Sequence, residues 1–148
     1  MLQNQCGFKN MNQKPFYFLS FINRSGSTLL AKELSSFRDV TVTLEGLERR
    51  SIGWDKVTLD LKSDRDIERW LDNVYSEEKF RSWEINRDEL RGRLHDASFP
   101  ISYNNFLSIL LNLYAENDDS ISVLYKSKGL IPDLKRSMLV FPGAKYIF

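Results

Sequence analysis

A parallel α/β fold is what this sequence predicts, and three features carry the prediction. Phe16 to Ile22 is an apolar and aromatic run broken only by Ser20, as suits a strand covered on both faces. A polar loop with one glycine, Asn23 to Thr28, follows it directly. Apolar positions at Leu29, Leu30, Leu34 and Phe37 then recur with helical spacing, leaving Lys32, Glu33 and Ser36 for water. Strand, tight loop and helix start in that order build a place for an anion. The helix's first N–H groups and its dipole point back into the loop. Gly26 permits a turn or a close backbone approach, and Arg24, Ser25, Ser27 and Thr28 offer charged and hydroxyl contacts.

The loop is not a nucleoside-triphosphate P-loop of the usual kind, because no lysine stands between Gly26 and Ser27-Thr28. It is not a dinucleotide fingerprint either, since Gly-x-Gly-x-x-Gly is absent. Arg24-Ser-Gly-Ser-Thr-Leu-Leu after a hydrophobic strand resembles the 5′-phosphosulfate-binding loop of the sulfotransferase family. The resemblance implies a P-loop-type parallel sheet flanked by helices. It also implies 3′-phosphoadenosine 5′-phosphosulfate (PAPS) as co-substrate, and Arg24, Ser25, Gly26, Ser27 and Thr28 as its binding residues. Helix capping by Ser27 and Thr28 is the alternative reading of the same residues.

Val40 to Leu44 is β-branched and reads as a second strand ending at Glu45-Gly46. In open parallel sheets ligands gather beyond the carboxyl ends of the strands, which places Glu45 beside Arg24. The family resemblance assigns an acid after the second strand as base for the acceptor's proton, and Glu45 is the matching position. Its alternative is an ordinary solvated surface carboxylate.

From Gly46 to about Pro100 charges are dense and the chain's three tryptophans occur, Trp54, Trp70 and Trp83. This reads as a helical insertion. Ser63 is placed to cap a helix with Ile67, Trp70, Leu71 and Val74 on one face. Asn86, with Glu89 three residues on, starts another that Gly92 weakens. By resemblance the insertion helps surround the acceptor, although Trp70 on a helical stripe reads as core. His95, the one histidine, falls near a helix end where a cation complements the dipole; it is the second choice for a base.

Ser102 to Glu116 carries a broad apolar helical face through Phe106, Leu107, Leu110, Leu111 and Leu113-Tyr114, stopped by Asn117-Asp-Asp. Ile121 to Tyr125 reads as a third strand, and Lys126-Ser127-Lys128-Gly129 as the loop after it. The sulfotransferase resemblance gives a lysine loop this place, so Lys126 is the second catalytic candidate, acting on the bridging oxygen. The alternative is a pair of solvated lysines in a turn. Leu130 to Phe141 is a further helix with Pro132 in its first turn, and Lys145 to Phe148 a fourth strand. In the family this strand runs on into an Arg-Asp-Pro-Arg-like segment that binds the 3′-phosphate. Read this way, the fold is expected to be incomplete at its C-terminus and the Leu107–Leu111 face to lie uncovered; the chain alone is expected to self-associate or be marginally stable, to bind PAPS poorly and to transfer no sulfuryl group.

The remaining composition excludes several classes. Lys plus Arg total 21 against 20 Asp plus Glu, a net charge of +1, so no general attraction to nucleic acid is implied and any anion site is local. Hydrophobic residues at 42% and aromatics at 13% describe a folded chain rather than a disordered one. Residues 1–14 are polar and read as a flexible leader that contains Cys6, the single cysteine; residues 15–148 read as one sulfotransferase-like domain. No stretch of about 18 apolar residues occurs, and no signal peptide is seen, which is the basis for expecting a cytoplasmic protein. The expected partners are PAPS or PAP and a hydroxyl or amine acceptor, with no metal required. An atypical P-loop phosphotransferase and a non-catalytic remnant or interaction module are the competing readings.

Overall fold

Among the described residues four parallel strands form the central sheet, in the order β2-β3-β1-β4. The computed structural model describes residues 15–20, 26–43, 61–116, 120–127 and 143–147, together with Lys135 and Met138. The strands are β1 (Phe16–Ser20), β2 (Val40–Thr43), β3 (Ser122–Ser127) and β4 (Lys145–Ile147). β1 lies between β3 and β4, with Phe18 opposite Tyr125 on one side and Tyr146 on the other. β2 reaches the sheet on the far side of β3, where Thr43 faces Tyr125. The connection from β1 to β2 therefore passes over the position of β3. Helix α1 (Ser27–Leu34) occupies that connection.

Alternation along the strands divides the core into two layers. Leu19, Leu124 and Val42 point to α1 and pack with its Ala31. Phe18, Val123 and Tyr125 point the other way, into a larger cluster with the helices α2 (Asp64–Tyr75), α3 (Glu78–Arg81), α4 (Arg87–His95) and α5 (Tyr103–Glu116). Helices thus cover both faces, as an all-parallel sheet requires. No described helix is long and apolar enough to cross a membrane.

The expected stripe on α2 is the observed one: Ile67, Trp70, Leu71 and Val74 are all buried. Ser63 caps the helix by accepting from Asp66 N–H at 3.3 Å, and its hydroxyl donates back to Asp66 Oδ2 at 2.9 Å. Asn86 likewise accepts from the N–H groups of Asp88 and Glu89 at 2.9 and 3.1 Å, and α4 runs through Gly92 without a break. Arg91 joins α4 to Glu68 of α2 at 3.1 Å, with one further bond to Asp88, and Arg93 reaches Glu116 of α5 at 2.7 Å.

The Ser63 hydroxyl holds the Asp66 carboxyl below the usual carboxylate range. A pKa lower in the folded chain than in the unfolded one stabilises above the unfolded value, and the stabilisation is lost as pH falls through the folded one. Ser63→Ala is expected to cost about 0.5–2 kcal/mol in urea denaturation at neutral pH. The difference between wild type and Asp66→Asn should shrink as the pH is taken down through 3.8 and below.

Several expectations are corrected. On α1 it is Ser27 and Ala31 that are buried, while Leu29 and Leu30 are 65% and 43% exposed and Phe37 lies past the helix end at 61%. A helix lying close against a sheet takes small residues on the contact side, and hydropathy alone does not report that. β3 begins and ends later than expected and includes Lys126, because the lysine's stem lies on the same face as Leu124 while its amine finds a partner. The face of α5 expected to be uncovered is covered: Leu107, Leu110 and Leu111 are completely buried against the insertion and the sheet. Trp70 and Trp83 are core residues, Trp70 packing edgewise on Phe106 at 4.2 Å and Trp83 on Tyr114 at 4.7 Å. Trp54, Leu44 and most of the expected helix from Leu130 to Phe141 lie outside the described residues, although Lys135 and Met138 are helical.

Candidate functional site

The end of β3 and the first turn of α1 meet where Lys126 reaches Thr28, and four of the sequence's candidates, Gly26, Ser27, Thr28 and Lys126, lie there. Gly26 is the residue before the helix, with φ 77° and ψ 4°. That left-handed conformation is what fixes glycine here; a Cβ at this position would have nothing within 4 Å, so close approach is not the reason. The Gly26 carbonyl accepts from Leu30 N–H at 3.0 Å, which starts the helix.

Gly26, at the cap position, has no side chain with which to cap α1, and the helix's first turn holds no acid. By contrast α2 and α4 each have a side-chain cap and two acids in the first turn. The first turn of α1 itself thus brings no negative charge to the positive end of the helix dipole. Ser27 does not serve as a cap as the competing reading had it, since it is the first helical residue and turns inward, 8% exposed. Thr28 is exposed at the mouth of the turn.

Lys126 arrives from the other half of the chain. Its ammonium donates to Thr28 Oγ1 at 2.8 Å, across 98 positions of sequence. Only 4% of Lys126 is exposed, which removes the reading of a solvated turn lysine. Its backbone N–H donates to Thr43 Oγ1 at 3.0 Å, and the fully buried Thr43 hydroxyl donates in turn to Leu124 O at 3.5 Å. The end of β2 thereby fixes the end of β3, and β3 holds the lysine under the start of α1. A buried ammonium demands compensation by hydrogen bonds or negative charge. Thr28 Oγ1, in the first turn of α1, is one such partner.

Of the residues singled out in the sequence, Gly26, Ser27, Thr28 and Lys126 are brought together. Arg24, Ser25 and Glu45 lie outside the described residues. His95 is in the last turn of α4, and its Nδ1 is 3.1 Å from Asp64 Oδ1 at the start of α2, so a helix-to-helix contact accounts for it. Sequence reasoning passed over two hydroxyls, Thr43 and Ser20. Both are buried polar residues at strand ends in apolar surroundings, and Ser20 was visible as the single polar interruption of its run.

No family model, no curated protein and no solved structure matches this chain. The class defined by the described residues is an α/β protein with a four-stranded parallel sheet and a helix that starts at Gly26.

Proposed function

We propose that the chain is a P-loop-type nucleotide-binding fold that holds the 5′ end of PAPS and belongs to an enzyme of sulfuryl transfer to a hydroxyl or amine acceptor. The observation that supports it most is the 2.8 Å bond between Lys126 and Thr28, which joins the two segments carrying the sulfotransferase resemblance. In this reading the N–H groups at the start of α1, the hydroxyls of Ser25 and Thr28, and the Arg24 guanidinium surround the 5′-phosphosulfate. The acceptor oxygen or nitrogen attacks sulfur, the bond from sulfur to the bridging oxygen breaks, and PAP leaves with the charge. Arg24, the helix N–H groups and Lys126 stabilise that developing charge; Glu45 takes the acceptor's proton.

A second reading has an observation in its favour. A phosphotransferase needs a lysine in or beside the loop, and Lys126 supplies an ammonium at Thr28 from a neighbouring strand. ATP and PAP separate the two.

Calorimetric titration of the protein with PAP, PAPS and ATP is the test, and PAP and PAPS are expected to bind with ATP weaker. Tighter binding of ATP than of PAP would move the assignment to phosphoryl transfer. Arg24→Ala is expected to weaken PAP binding by about 1.5–3 kcal/mol, the range for a hydrogen bond to a charged group. Unchanged affinity in the folded variant would take Arg24 out of the site.

A further inference from the structure

We draw no further inference here: the strongest candidate, the exposed apolar patch that Leu29 and Leu30 of α1 form with Phe37 just past its end, carries nothing because nothing in the structure shows what covers it.

Discussion

Lys126→Met is expected to weaken PAP binding by about 2–5 kcal/mol, roughly 30-fold to several thousand-fold, in a protein that still folds. The magnitude follows from burial. Lys126 is 4% exposed, so its ammonium acts on an anion through protein rather than through water, where the same charge would be strongly screened. Methionine keeps the length and apolar stem of the side chain, and so keeps its packing on the α1 face of the sheet. It leaves the bound anion facing an apolar group, which is why the loss exceeds that of a rim contact. Titration calorimetry with PAP, with a thermal melt to show folding, reads the result; unchanged affinity in a cooperatively melting variant would make Lys126 a structural lysine.

Phe18→Ala is expected to destabilise the fold by about 3–5 kcal/mol, a large part of the roughly 5–15 kcal/mol available to a domain. Phe18 is completely buried on the central strand. Its ring stacks on Tyr146 of β4 at 5.4 Å and meets Tyr125 of β3 edgewise at 5.9 Å, so it links three strands to the helical layer. Truncation leaves a cavity bounded by rings that cannot collapse into it without moving two strands. A fall of about 6–20 °C in melting temperature is the corresponding signal. A change under 1 kcal/mol would mean that the aromatic layer does not hold the sheet to its helices.

These two residues mark what the sequence made legible and what it hid. Phe18 is legible because a long apolar run before a polar loop has few other uses, and the α2 stripe is legible because its period, its Ser63 cap and its first-turn acids agree. The α1 contact was hidden: Ala31 and Ser27 face the sheet while Leu29 and Leu30 face outward, the reverse of what hydropathy suggests. Lys126 was placed correctly at the carboxyl edge but read as a loop residue, since a charged residue in a buried strand makes sense only once its partner, 98 positions away, is known. Ser20 is legible as the one polar interruption of its run, but not as a buried hydroxyl without a partner. Local patterns specify elements; partners across the sheet specify the site.

The central claim, that an anion sits where α1 begins beside Lys126, is tested most directly by following backbone amide resonances of 15N-labelled protein during titration with PAP. The amides of Ser27, Thr28 and Leu29, which head α1, and that of Lys126 are expected to shift most, with those of α2 and α4 nearly still. Saturable shifts centred on other elements, or none at the start of α1 at millimolar PAP, would contradict the account.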